Sequence, residues 1–144
     1  MKHFILSLSL LLIGITVVYA DSDRPISKEQ LPAKAQQFLQ CYFSDIEVTL
    51  AREGGSVVRR EYDVTLGDGT TIEFASDGRW IDIESPRALP RDFMPPGIVT
   101  YLARHYPSSE VYRIEHSRRE WEVQLSNGVE LTFDRRYRIV DIDD

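Results

Sequence analysis

The side chains that could catalyse a reaction or bind a metal are few and far apart in this sequence. Two histidines, His105 and His116, follow the N-terminal twenty residues, and Cys41 is the single cysteine. A hydrolytic triad needs a histidine that a carboxylate orients towards a nucleophile, and a structural zinc site needs about four nitrogen or sulfur ligands. These spacings indicate neither arrangement. We therefore predict a protein that is not an enzyme and that carries no metal or other cofactor.

Each of these residues has an ordinary structural interpretation. We expect His105 to be a partly buried packing residue on a helix and His116 to be solvated beside a hairpin loop. Cys41 is predicted to be a semi-buried thiol with the behaviour of a small hydrophobe, with pairing between two chains as the alternative. Asp141 and Asp143 lie on a predicted strand without the loop that wraps a calcium ion. They are expected to form a solvated acidic edge.

A tryptophan stands among carboxylates on the last predicted strand of the first half of the chain. Side chains of a strand alternate between its two faces, so isoleucines at 81 and 83 that face the core would place Trp80, Asp82 and Glu84 on the opposite, helix-free face. Exposed aromatic residues are common anchors for partners. The alternative is that Trp80 packs on neighbouring strands. The predicted binding residues, including two from the last strand of the second half, are Trp80, Asp82, Glu84, Ile139 and Asp141.

Composition excludes several classes of protein without selecting a function. The chain has 144 residues, of which 42% are hydrophobic and 28% charged, so it can bury the core of an ordinary globular domain. It carries 17 basic and 23 acidic side chains, a net charge of −6. An acidic chain of this size is repelled by phosphate backbones. We expect no nucleic acid among its partners.

The first twenty residues have the pattern of a secretory signal peptide. Lys2 is followed by an apolar run from Phe4 to Val18, and Val18-Tyr19-Ala20 fits a cleavage site for a signal peptidase. The run is shorter than the roughly 20 residues that a helix needs to cross a membrane. We predict that residues 1–20 are removed near Ala20. The mature protein should be periplasmic or secreted, with no stable membrane insertion.

The rest of the sequence contains one pattern twice. Leu31-Pro32 begins the first copy and Met94-Pro95 begins the second, 63 residues later. In each copy, apolar residues at helical spacing precede segments in which apolar and polar residues alternate. We assign residues 26–85 to the first repeat and residues 90–144 to the second, within one compact domain that shares a sheet.

The predicted fold class is α+β. Each repeat should be a helix followed by a four-stranded antiparallel meander, with both helices on one face of a curved antiparallel sheet. Asp68-Gly69 and Asn127-Gly128 are signals for tight hairpin turns. The side chains that should share the core are Phe38, Leu39, Val64, Leu66, Leu102, Tyr106, Val123 and Leu125.

The ordered set of motifs resembles the beta-lactamase-inhibitor-like, PepSY-like domain family of small exported proteins from Bacteroides-type bacteria. The resemblance covers residues 26–144. The motifs that carry it include Leu31-Pro32, the run from Tyr62 to Gly69, Ile72-Glu73-Phe74 and Gly78-Arg79-Trp80. In the second half, Arg136-Tyr137 and Ile139 depart from the last motif. The resemblance implies a fold like that of beta-lactamase inhibitor proteins and a role in binding or inhibiting exported proteins, and it brings no catalytic residues.

The leading functional prediction is an exported, non-enzymatic binding module. It would use the helix-free face of the sheet to bind another exported protein or peptide, as an inhibitor or regulator of that protein or of a peptidase. The alternative is a small-ligand carrier or a component of the envelope-stress response, and an enzyme ranks third. A pocket lined by titratable groups with shifted pKa values would favour an enzyme. A broad surface with exposed aromatics would favour a protein partner.

Overall fold

The computed structural model describes residues 23–144, and the predicted signal peptide lies outside them. These residues form one sheet of nine antiparallel strands in which each strand pairs with the next along the chain. The strands are β1 (Arg24–Ile26), β2 (Val48–Gly55), β3 (Arg60–Leu66), β4 (Thr71–Ala75), β5 (Trp80–Glu84), β6 (Val111–His116), β7 (Glu120–Leu125), β8 (Glu130–Asp134) and β9 (Ile139–Asp143). The two α-helices are α1 (Ala33–Tyr42) and α2 (Pro96–His105), and a 3-10 turn covers Lys28–Gln30.

The predicted fold class is wrong. The protein is mostly sheet, a continuous nine-stranded antiparallel array with two helices of ten residues each, and not a duplicated helix-plus-four-strand α+β meander. The prediction missed β1, because three residues that include Pro25 show no alternation from which a strand can be recognised. It also assigned too much of the core to the helices. Each helix contributes two buried residues, Ala35 and Leu39 from α1 and Ile98 and Leu102 from α2.

The buried side chains come mainly from alternate positions of the strands. Of the expected core residues, Leu39, Leu102, Val64, Leu66, Val123 and Leu125 are buried. Phe38 and Tyr106 are only partly buried and lie against the edge of this cluster. Phe74 of β4 and Phe133 of β8 are fully buried instead. We call the side of the sheet that carries these two phenylalanines the core face, and the opposite side the open face.

Both predicted glycine turns are present. Gly69 and Gly128 have φ angles of 92° and 88°, which only glycine adopts without strain. The preceding side chains stabilise the turns, because Asp68 Oδ1 accepts a hydrogen bond from the Thr70 N–H at 2.9 Å and Asn127 Oδ1 accepts one from the Val129 N–H at 3.0 Å.

The turns before β5 and β9 reach the left-handed conformation with different residues. Gly78 has a φ of 84°, and Tyr137, 59 residues later, has a φ of 59°. A Cβ added at Gly78 would lie 2.9 Å from Pro32 Cβ at the start of α1, so that turn needs glycine. At the second turn the glycine belongs to the helix and not to the turn. A Cβ added at Gly97 of α2 would lie 2.7 Å from Tyr137 Cβ.

Candidate binding face

A β-bulge sets the direction of the side chains in β5. Glu73 of β4 pairs with Asp82, but Phe74 pairs with Trp80, so Ile81 is an extra residue in β5. A bulge of this kind places two residues opposite one and interrupts the alternation of side chains. Trp80 therefore lies on the core face beside Phe74, whereas Asp82 lies on the open face beside Glu73.

The last strand contains the same irregularity. Thr132 of β8 pairs with Asp141, and Phe133 pairs with Ile139, so Val140 is the extra residue of β9. Ile139 therefore shares the core face with Phe133 and packs against the buried cluster. Asp141 is on the open face.

The predicted placement of Trp80 and Ile139 on the helix-free face is thus wrong, because strict alternation does not continue through a bulge. The Trp80 ring packs at centroid distances of 5.6 Å from Phe93, 5.8 Å from Trp121 and 6.3 Å from Phe38. These contacts agree with the alternative interpretation, in which Trp80 is a packing residue. Asp82 and Glu84 are on the open face as expected.

Register brings carboxylates from successive strands into one row across the open face. One residue of each strand from β2 to β9 belongs to this row, and each pairs directly with the residue of the next strand. We call the eight residues the acidic row: Arg52, Asp63, Glu73, Asp82, Glu115, Glu122, Thr132 and Asp141. At about 4.8 Å between strands, the row extends over roughly 34 Å and places Asp82 about 19 Å from Asp141.

The centre of the acidic row is short of positive charge. The pKa of Glu73 is raised from 4.5 to about 7, first by partial burial and then by the negative charges of Glu61, Asp63 and Asp82. The pKa of Asp63 is raised as well, by burial and by neighbouring carboxylates. A shallow depression of about 220 Å³ lies here, with Asp63, Glu73 and Asp82 among its lining residues.

One arginine neutralises part of the row. Arg113 of β6 donates two hydrogen bonds to Asp82, from Nε to Oδ1 at 3.1 Å and from an Nη to Oδ2 at 2.8 Å. A third bond reaches Glu115 at 3.1 Å. These carboxylates raise the pKa of the guanidinium further. Further along the row, the pKa of Glu122 is raised by burial and by the charges of Glu115, Glu130 and Glu120, which outweigh the opposite effect of Arg113.

Most members of the acidic row were not predicted as site residues. Asp63, Glu73, Glu115 and Glu122 each alternate with apolar residues on their own strand, and that signal was present in the sequence. Their alignment depends on the register of seven strand pairs, which no single segment contains. Glu84 lies in the adjacent line of residues, where it pairs with Arg113.

The isolated candidate residues do not form a catalytic or metal site. His105 is exposed, with its ring 4.3 Å from Tyr101, and Cys41 is exposed, so both predictions of partial burial are wrong. His116 is not solvated beside a loop but half-buried, with Nε2 2.6 Å from the Trp80 carbonyl oxygen. The acidic edge at Asp141 and Asp143 is exposed as expected.

Residues 23–144 contain neither a cluster of metal ligands nor a helix that could span a membrane. Within this range no group of three or more histidine, cysteine, aspartate or glutamate side chains is arranged to hold a metal ion. No helix formed by these residues is long and apolar enough to cross a membrane.

Comparison with known proteins identifies the family. The model of the family described as "Putative beta-lactamase-inhibitor-like, PepSY-like" matches residues 60–141. No match to the chain was found among curated proteins.

Similar solved structures come from Bacteroides. A "putative periplasmic protein" of the DUF2874 family from Bacteroides vulgatus is 36% identical, with a TM-score of 0.84 over 87% of this chain and 99% of that one. A "putative calcium-regulated periplasmic protein" from Bacteroides thetaiotaomicron is also 36% identical, with a TM-score of 0.83 over the same shares. These neighbours confirm the predicted periplasmic location. The chain belongs to the beta-lactamase-inhibitor-like, PepSY-like family.

Proposed function

We propose that this protein is a non-enzymatic periplasmic binding module whose open sheet face binds a basic segment of another exported protein, as an inhibitor or regulator of that protein. The observation that carries the proposal is the acidic row. Six of its eight positions are carboxylates that face the same side. The family supports the general role, since its name describes likeness to inhibitor proteins.

The charge of the row selects the chemistry of the partner. The pKa of Glu73 is raised first by partial burial and then by the negative charges of Glu61, Asp63 and Asp82, and cations that approach this group would offset both effects. Lysine and arginine side chains of a partner would supply these cations, and complementary charge raises both association rate and specificity. The predicted binding residues Asp82, Glu84 and Asp141 retain their role in this proposal.

The length of the row sets the length of the segment. An extended chain advances about 3.3 Å per residue, so about ten residues would cover the roughly 34 Å between β2 and β9. A ten-residue peptide that alternates lysine and serine is a suitable probe. The same peptide with glutamate in place of lysine is the control.

Calorimetric titration of the full mature chain with these peptides tests the proposal. The lysine peptide should bind, and the glutamate peptide should not. The double variant Asp63→Asn with Glu73→Gln should weaken binding about tenfold. The matched double variant Glu29→Gln with Glu110→Gln removes two carboxylates from exposed positions outside the row and should leave affinity unchanged. Equal losses in both variants would show that net charge, and not the row, governs binding.

A calcium ion is a second candidate ligand of the same face. One similar protein is described as calcium-regulated, and calcium takes carboxylate oxygens. Glu61, Asp63 and Asp82 surround Glu73 closely enough to raise its pKa, although these groups are not preformed as a metal site. Thermal melts with calcium should show stabilisation that magnesium does not give and that Glu73→Gln abolishes. Equal melts with and without calcium would remove this candidate.

A further inference from the structure

A cleft of about 980 Å³ opens at one end of the sheet. The connections β2–β3, β4–β5, β6–β7 and β8–β9 all lie at this end, because strands that pair in sequence turn alternately at opposite ends. Aromatic rings line the cleft: Trp80 lies 5.8 Å from Trp121, and Trp121 lies 5.9 Å from Tyr137 and 4.5 Å from His116.

The cleft exists because β5 and β6 separate early. Their ladder has three residue pairs and ends at Asp82 and Glu115. Beyond that point the side chain of His116 replaces the backbone pairing, with Nε2 2.6 Å from the carbonyl oxygen of Trp80. The rings of Trp80 and Trp121 thus remain accessible from the end of the sheet, and both are only partly buried.

Arginines surround the aromatic lining on the connections that meet at this end. The lining includes Arg59, Arg60, Arg79, Arg118, Arg119 and Arg135. Arg79 pairs with Asp77, and Arg60 pairs with Glu53. Within residues 23–144, the other four arginines have no ion-pair partner. In a protein of net charge −6, four arginines without an ion-pair partner thus lie together at one end of the sheet, although Glu61, Glu73 and Glu115 also line this cleft.

We propose that this cleft binds an acidic peptide segment that contains an aromatic residue. The aromatic side chain would stack on Trp80 and Trp121, and flanking carboxylates would accept hydrogen bonds from Arg118, Arg119 and the arginines of the neighbouring connections. The cleft volume is near the upper end for a ligand of drug size, which suits a few residues of extended peptide.

The lining also argues against a nucleic acid. Arginines beside aromatic rings are typical of single-strand binding, but Glu61, Glu73 and Glu115 line part of the same cleft. A nucleic acid carries a phosphate at every nucleotide and would place one near these carboxylates. A peptide can confine its negative charge to the positions beside the arginines. The cleft shares Glu73 and Glu115 with the acidic row, but its proposed ligand contacts are Trp80, Trp121 and the arginines of the connections, none of which belongs to the row.

Intrinsic fluorescence tests the proposal directly. The chain contains two tryptophans, and both line the cleft. The probe is a five-residue peptide with one phenylalanine between aspartates and glutamates. One control peptide has lysines in place of the acids, and another has alanine in place of phenylalanine. The acidic phenylalanine peptide should change the tryptophan emission with saturation. The alanine peptide should bind at least fivefold more weakly, and any response to the lysine peptide should not decrease when Arg118 and Arg119 are replaced.

Matched variants separate the cleft from net charge. Arg118→Gln with Arg119→Gln should weaken binding of the acidic peptide about tenfold, while Arg87→Gln with Arg104→Gln, at exposed positions outside the cleft, should not. Melting temperatures of both variants check that the fold is intact. Equal weakening by both pairs, or no response to the acidic peptide, would overturn the proposal. If an oligothymidylate bound more tightly than the acidic peptide at the same salt concentration, the cleft would be a nucleic-acid site and the peptide proposal would be overturned.

Discussion

Replacing Glu73 with glutamine removes the most strongly perturbed carboxylate of the acidic row while keeping its size. In the folded protein its pKa is about 7, against 4.5 ordinarily, because of partial burial and the charges of Glu61, Asp63 and Asp82. Folding raises this pKa, so the protonated form stabilises the fold. That stabilisation is complete below about pH 4.5 and is lost as the pH rises through 7.

The size of the effect follows from the shift. Each pKa unit corresponds to about 1.4 kcal/mol, so the difference between 4.5 and about 7 sets an upper limit of about 3.5 kcal/mol. Glu73 is only partly buried, and solvent screening reduces the expected change in the free energy of unfolding to about 1–2 kcal/mol. Glutamine does not ionise, so Glu73→Gln should be more stable than the parent above pH 7 and nearly equal to it at pH 4.5.

Urea denaturation followed by tryptophan fluorescence measures this difference at pH 4.5 and at pH 8. The midpoint should rise at pH 8 without a change in the slope of the free energy with urea. Glu110→Gln, at an exposed position off the row, is the control and should shift neither midpoint. If Glu73→Gln were no more stable than the parent at pH 8, folding would not raise the pKa of Glu73 and the reasoning would be refuted.

Three further substitutions test the packing described above, each by urea denaturation. Trp80→Ala should destabilise the fold by about 3 kcal/mol, because its ring packs against the core cluster; a loss below about 1 kcal/mol would mean that the ring contributes little. Gly78→Ala should lower stability by about 2 kcal/mol or more, since the φ of 84° and the approach to Pro32 both exclude a Cβ, and an unchanged midpoint would contradict this. Arg113→Gln should lower stability by about 1 kcal/mol at low salt, because Asp82 loses a two-bond partner, and a gain would show that desolvation of the pair dominates.

Local sequence patterns predicted the features that depend on local physics. Asp68-Gly69 and Asn127-Gly128 specify their turns because the required φ angles and side-chain hydrogen bonds lie within three residues. The alternation of apolar residues in β3 and β7 correctly predicted which side chains are buried, since neither segment contains an extra residue.

The errors arose where two distant segments determine the outcome. Nothing in the run Trp80-Ile81-Asp82 marks Ile81 as a bulge, because the extra residue is defined only by the pairing with β4. The acidic row similarly requires the register of all its strands. The share of the core supplied by the helices was overestimated because the amphipathic pattern of α1 does not reveal that most buried side chains would come from the strands.

The contact between Gly97 and Tyr137 constrains the order in which these two positions can change. The first turn has glycine on the strand side, and the second has glycine on the helix side. To convert the second arrangement into the first, Tyr137 must become glycine before Gly97 gains a side chain. The reverse order passes through a state in which the new Cβ lies 2.7 Å from Tyr137 Cβ and 2.8 Å from the nearest atom of its ring. Gly97 can therefore gain a side chain only after Tyr137 has been replaced.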